Sequence, residues 1–96
     1  MPTYITLVKL TDQGVRNVKE WSSRIQEAMQ VAADLGCRFD CYLTTGEYDF
    51  IGIAEAPNDE VIAKANLSIA ARGDVRTVTT RAFNLEEIKR IVDGVR

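Results

Sequence analysis

The feature that most constrains the fold is a tight hairpin in the middle of the chain. Two runs rich in strand-forming residues, Cys37–Thr44 and Tyr48–Ala56, are separated only by Thr45, Gly46 and Glu47. A connection this short joins antiparallel neighbours, because parallel strands need a crossover of about a dozen residues or more. The hairpin therefore argues against a doubly wound parallel sheet.

Strand-like and helical patterns flank the hairpin on both sides. Alternation of apolar and polar residues predicts strands, and apolar residues at three- and four-residue spacing predict amphipathic helices. Ser23 with Gln26, and Asn84 with Glu87, have the spacing of capping boxes, so we expect the first helix to restart near Ser22–Ser23. The remaining predicted elements are strand Thr3–Leu10, a helical stretch from Thr11 to Leu35 closed by Gly36, a helix from Pro57 to Arg72 closed by Gly73, strand Val75–Phe83, and a last helix after Asn84.

This order of elements, β-α-β-β-α-β plus a terminal helix, is the split βαβ arrangement of ferredoxin-like α+β proteins. Right-handed crossovers then give an antiparallel sheet in the order 4-1-3-2, with both main helices on one face. At 96 residues the chain has the length of one domain, and we expect residues 1–96 to form it.

Composition excludes several classes of chemistry. The chain has no His, which removes Ser-His-Asp and Cys-His catalysis and His-containing zinc sites. Its two cysteines cannot hold an iron–sulfur cluster, and no cofactor or metal is expected. A net charge of −2 is the wrong sign for nucleic acid or anionic lipid. With no apolar run long enough to cross a membrane and no leader-like start, we expect a cytoplasmic protein with free Cys37 and Cys41 thiols.

The hairpin also predicts which side chains share a face of the sheet. If Thr44 lies opposite Tyr48, then Tyr42 lies opposite Phe50, and the aliphatic residues gather on one side. We expect the helices to cover Ile5, Leu7, Phe39, Cys41, Leu43, Ile51, Ile53, Val78 and Ala82. The other side would then carry Tyr4, Thr6, Val8, Arg38, Asp40, Tyr42, Tyr48, Phe50, Gly52, Thr77, Thr79, Arg81 and Phe83.

That second side mixes aromatic rings with charged groups, and it is more apolar than a monomer usually leaves in water. A second copy facing it would form a two-fold dimer around a lined cavity. An Arg there has two interpretations: an ion pair within the assembly, or a bidentate grip on a ligand carboxylate. The candidate ligand-binding residues are Tyr4, Thr6, Arg38, Asp40, Tyr42, Thr77, Thr79 and Arg81.

The tetrad Gly46-Glu47-Tyr48-Asp49 resembles the signature of the GYD domain family. Similarity continues through Tyr4-Ile5-Thr6-Leu7 before the tetrad and through Gly73-Asp74-Val75-Arg76-Thr77 after it. The resemblance implies membership of the ferredoxin-like, dimeric α/β-barrel superfamily, and it implies no established reaction. Within the tetrad we expect Gly46 to supply a positive φ for the turn, Tyr48 to pack at the sheet end, and Asp49 to accept backbone N–H groups.

The sequence thus predicts a homodimer that binds a small organic carboxylate or aromatic molecule in a cavity on the open sheet face. Whether a cofactor-independent reaction follows is left open. The alternative is a non-catalytic oligomerisation or ligand-sensing module with a filled interior. The expected partners are a second copy of the chain and a small molecule, with no nucleic acid and no membrane.

Overall fold

The computed structural model describes residues 1–96 as an open four-stranded sheet with helices on one side. The strand order β2-β3-β1-β4, antiparallel throughout, confirms the predicted α+β ferredoxin-like topology. The elements are β1 Thr3–Leu10, α1 Asp12–Arg16, a 3₁₀ turn Val18–Glu20, α2 Trp21–Asp34, β2 Arg38–Leu43, β3 Phe50–Glu55, α3 Asp59–Ala70, β4 Val75–Ala82 and α4 Leu85–Asp93.

Local sequence signals explain most of the helix ends. The Thr11 side chain accepts the Gly14 N–H, and Asn84 forms a reciprocal capping box with Glu87. Gly36 and Gly73 follow α2 and α3 with φ of 81° and 84°, a region that other residues rarely adopt. The predicted ends at these two glycines are confirmed.

The predicted break in the first helical stretch was misplaced. The chain leaves α-helical geometry at Asn17, passes through the 3₁₀ turn, and resumes as α2 at Trp21. Ser23 and Gln26 lie inside α2 and form no capping box. The Trp21 indole explains the position, because its Nε1–H donates to the Gly14 carbonyl at 2.9 Å and closes the bend between α1 and α2.

The hairpin differs from the prediction in loop length, and this changes the faces of the sheet. Residues 44–49 form the loop, and Tyr42 lies opposite Ile51 rather than Phe50. Because side chains alternate along a strand, a register shift of one residue inverts the relation between two neighbouring strands. The predicted facing was therefore wrong for most of the sheet, although Phe39 and Cys41 do lie on the covered side, facing the helices.

The covered side holds aromatic and hydroxyl side chains instead of the aliphatic set. Phe39 lies directly over Gly52, where a methyl group would sit 2.9 Å from the ring carbon Cζ. Trp21 packs on Phe50 with 5.3 Å between ring centroids. Polar tips on this side find partners, since Asn66 of α3 donates to the Thr79 hydroxyl at 2.7 Å. Glycine at position 52 thus leaves the space that the Phe39 ring occupies.

Asp74, before β4, joins several segments at one end of the sheet. Its backbone carbonyl accepts the Thr11 N–H, and its buried carboxylate accepts from Gln13 and forms an ion pair with Arg24 of α2. Gly14 permits this approach, because a side chain there would collide with the Asp74 backbone. The start of α1, the body of α2 and the start of β4 are held together by this one residue.

The last helix projects from the end of the sheet without packing on it. None of the residues in α4 is buried, and the molecule is elongated, with extents of 50 × 30 × 17 Å. Its apolar residues recur at helical spacing on one stripe, which comprises Leu85, Ile88, Ile91 and Val92, and Val95 follows just after the end of the helix.

Candidate functional site

The predicted ligand-binding residues do not form one cluster. Cross-strand pairing of Tyr4 with Arg81, and of Thr6 with Thr79, places these residues on the covered side, where Thr77 also lies. Only Arg38, Asp40 and Tyr42, all on β2, lie on the uncovered side as predicted. The predicted set is therefore divided by the sheet itself, and no single pocket on the uncovered side gathers it.

The uncovered side, which we call the open face, has an aliphatic centre. Its residues form cross-strand rows, because residues paired across antiparallel strands point to the same side. One row runs across the sheet through Tyr42, Ile51, Leu7 and Val78, and the next through Asp40, Ile53, Ile5 and Thr80. Tyr42 is 57% exposed, Val78 54% and Ile53 40%, so this apolar centre meets solvent in the single chain.

The two ends of the open face differ in charge. At one end Lys9 and Arg76 are paired across β1 and β4, and the Asp49 carboxylate, which accepts the Leu10 N–H, lies at the same end of the sheet. At the other end Arg38 lies opposite Glu55, and Asp40 follows two residues along β2. The first end is therefore basic and the second is weakly acidic.

Arg81 is already engaged within the chain. Its guanidinium donates to Glu87 at 2.9 Å and to the Thr3 carbonyl at 3.2 Å, and it lies 4.5 Å from the centroid of the Phe83 ring. The Asn84 N–H and then the Arg81 guanidinium lower the pKa of the Glu87 carboxyl. Of the two interpretations of Arg81, the observed contacts favour the ion pair, and a ligand carboxylate would have to displace Glu87.

Tyr4, next to Arg81, is bound to α3. Its hydroxyl donates to Asp59 in the first turn of that helix, and this hydrogen bond raises the pKa of Tyr4. A carboxylate at a helix N-terminus is favoured by the helix dipole. The Tyr4 hydroxyl thus connects the sheet to α3 and is not directed at the open face.

The tetrad residues act in the hairpin loop. Asp49 Oδ2 accepts the Leu10 N–H at 2.8 Å, which agrees with the backbone-binding role expected for it, and Thr44 donates to the Tyr48 carbonyl. Gly46 does not have the positive φ that was predicted, and apart from its own chain neighbours no residue has a heavy atom within 4 Å of the place where its side chain would be. The longer loop removes the need for a left-handed residue at this position.

A cavity, which the sequence did not indicate, lies between the sheet and the helices. It has a volume of about 60 Å³, and Thr6 and Thr77 of the predicted set line it together with Trp21, Arg24 and Asn66. Periodicity alone identifies the covered faces of α2 and α3, but it cannot show where two such faces leave a gap.

The two thiols are free, and burial raises the pKa of both. No group of three or more Cys, Asp or Glu side chains is arranged to hold a metal ion. None of the helices combines the length and the apolar content needed to span a bilayer.

The chain belongs to the GYD domain family, whose pattern matches residues 4–92. This agrees with the ferredoxin-like topology and with the tetrad in the hairpin loop.

The sequence of one relative also supports this family assignment. The glutamine synthetase and cystathionine beta-lyase binding protein of Thermus thermophilus is 37% identical over 90 residues, which cover 92% of this chain and 95% of the relative. Among solved structures, a crystal structure of a chain from Thermus thermophilus matches with a TM-score of 0.58 and 23% identity, covering 88% of this chain and 95% of that one. A dimeric ferredoxin-like protein of unknown function from Thermobifida fusca matches with a TM-score of 0.44 and 16% identity, covering 84% of this chain and 90% of that one.

Proposed function

We propose that this chain forms a homodimer through its open face and that the dimer is a binding module for other proteins. The observation that carries the proposal is the aliphatic centre of the open face, two cross-strand rows wide and left uncovered. Monomers rarely leave a contiguous apolar patch of more than a few hundred Å² in water. Two such sheets packed about 10 Å apart would remove both patches from solvent.

The open face alone is smaller than a stable interface, so we propose that α4 also contacts the second copy. Four strands about 4.8 Å apart, with about 20 Å of paired length, present a flat area of about 400 Å². A stable interface buries about 800 Å² of accessible surface per partner. The apolar stripe of α4, nine residues and about 13 Å long, adds about 130 Å², and side-chain relief raises both values. We therefore assign the stripe of α4 to the second copy as well.

The charges at the ends of the open face select the relative orientation of the two copies. If the two-fold axis ran along the strands, the Lys9 and Arg76 ends of both copies would meet and repel. If the axis runs across the strands, each basic end meets the partner's end with Asp40 and Glu55. The second arrangement brings ends of opposite net charge near each other twice, so we propose an antiparallel, face-to-face dimer.

A charge-swap experiment tests this arrangement. Lys9→Glu with Arg76→Glu makes both ends acidic, and Asp40→Lys with Glu55→Lys makes both ends basic. Each variant alone is expected to dissociate at low salt, and the 1:1 mixture is expected to form a heterodimer, as read by native mass spectrometry. Homodimers of both variants with wild-type affinity would refute the orientation, and a monomeric wild-type chain would refute the dimer.

The sequence left two interiors of the dimer open, one with a ligand cavity and one filled by side chains, and we propose the filled one. The hydroxyl groups of Tyr4, Thr6 and Thr79 lie on the other side of the sheet. On the open face the polar residues of the two rows, Tyr42, Asp40 and Thr80, stand on the edge strands, and the middle of each row is aliphatic and offers no polar group to orient a ligand. Aliphatic rows that pack against each other form a dry contact. The proposal therefore assigns no reaction and no ligand cavity to the open face.

The protein partners are proposed from the curated relative, whose name states that it binds glutamine synthetase and cystathionine beta-lyase. We propose that this chain, as one domain in the cytoplasm where its thiols stay reduced, binds metabolic enzymes in the same way. Purified glutamine synthetase and cystathionine beta-lyase from the source organism, each immobilised, test the binding. Retention of the wild-type chain on at least one enzyme is expected, and a dimer that is retained on neither would contradict this part of the proposal.

A further inference from the structure

We propose that the cavity between the sheet and the helices binds a compact uncharged molecule with an aliphatic body and one hydrogen-bond acceptor. The cavity lies on the opposite side of the sheet from the open face. The inference therefore goes beyond self-association and does not depend on it.

The cavity exists because small side chains meet from both sides. Thr6, Thr77 and Cys41 line it from the sheet, and Ala28 lines it from α2. Its volume of about 60 Å³ is several times the roughly 10–15 Å³ that one water needs, and it is below the roughly 150 Å³ of an apolar cavity that accepts benzene. This space suits a molecule of about three to six non-hydrogen atoms.

One polar group of a residue that lines the cavity lacks a partner within the protein. The Nε–H of Arg24 is buried and has no acceptor, although the two terminal nitrogens of the same guanidinium bind Glu20 and Asp74. A buried donor without an acceptor is costly, so an acceptor atom carried by a ligand would be stabilised at this point. The walls are otherwise mostly apolar, which matches an aliphatic body.

The surrounding charges favour an uncharged ligand. Arg24 is paired with Glu20 and Asp74, and Arg72 is paired with Glu27, so each guanidinium that lines the cavity already has a carboxylate. An anion would have to displace one of these carboxylates. A cation would lose its hydration against apolar walls without gaining a free carboxylate.

Two probes with one carbon skeleton test the chemistry. Isobutyramide is uncharged and offers a carbonyl acceptor, and isobutyrate is its anionic counterpart. In a titration of the wild-type protein followed by ¹⁵N–¹H correlation spectra, isobutyramide is expected to give saturable shifts at the amides of Thr6, Cys41 and Thr77. For so small a ligand the expected Kd is in the range of about 1–10 mM. Isobutyrate is expected to bind at least tenfold more weakly.

Matched variants locate the site. Ala28→Leu fills the cavity from α2 and is expected to abolish the shifts, whereas Ala33→Leu, on the exposed side of the same helix, is expected to keep them. Arg24→Lys keeps the charge but removes the Nε–H, and it is expected to weaken isobutyramide binding at least fivefold.

Four results would overturn the proposal: no saturable shift in the wild-type protein, equal affinity for isobutyrate, shifts confined to the open face around Leu7 and Ile51, or unchanged binding by a folded Ala28→Leu variant. If Ala28→Leu does not fold, the comparison of the two probes on the wild-type protein decides the matter alone.

Discussion

Placing a charge in the centre of the open face is expected to dissociate the proposed dimer while leaving the protomer folded. Ile53→Lys suits this purpose, because Asp40 lies directly opposite on β2 and opposite charges on paired strands are favourable. Full burial of an isoleucine side chain contributes about 1.5–3 kcal/mol. Ile53 is 40% exposed, so its burial in the dimer would contribute about 1 kcal/mol per protomer, and about 2 kcal/mol for the pair.

A loss of about 2 kcal/mol raises the dissociation constant roughly 30-fold, and removing the ammonium group from water raises it further. Sedimentation equilibrium over a concentration series measures the effect against the 10.7 kDa protomer mass. Leu67→Lys is the matched control, since Leu67 is 72% exposed on α3. Association of Ile53→Lys as tight as that of the wild type, or equal dissociation of Leu67→Lys, would refute the proposed interface.

Two further predictions concern single residues. In a urea titration, Gly52→Ala is expected to lower the free energy of unfolding by about 1–3 kcal/mol, because the added methyl group overlaps the Phe39 ring. Gly46→Ala is the control, since Gly46 has open space around it and no positive φ, and its free energy of unfolding is expected to stay unchanged. Equal losses in the two variants would contradict the packing of Phe39 on Gly52. The folded-state pKa of Glu87 is lowered, chiefly by the Asn84 N–H, so its contribution to α4 is present above about pH 4.3 and is lost as the pH falls through the lower folded value. Glu87→Gln is expected to remove that pH dependence from the helical signal of α4, and a Glu87 carboxyl that titrates at or above about pH 4.3, read from its side-chain carbon shift, would contradict it.

The sequence predicts the elements and their order well because those signals are local. The strand Thr3–Leu10 has the bounds that alternation indicated, and the Asn84–Glu87 capping box begins α4 as expected. The sheet order then follows from the short hairpin and from the handedness of crossovers. None of these inferences requires knowledge of side-chain contacts.

The faces of the sheet could not be predicted, because they depend on the length of one loop. With a three-residue loop Tyr42 would lie opposite Phe50, whereas the observed loop places it opposite Ile51. With that loop, apolar residues match across the hairpin, and this predicts aliphatic side chains beneath the helices. The structure instead places Phe39 on Gly52 and ties Tyr4 to Asp59, contacts that a period-two pattern does not contain. Because the faces differ from the prediction, most of the predicted ligand-binding residues lie on the covered side of the sheet.

In α4, the strength of binding to a neighbour and the direction of the helix depend on different residues. Its apolar stripe would set how tightly the helix holds a neighbour, whereas the Arg81–Glu87 pair, beside a two-residue connection to β4, restricts where the helix points. A helix oriented before it meets its target loses less conformational entropy on association. Loosening that pair would therefore weaken assembly by an entropic route, with every apolar contact left intact.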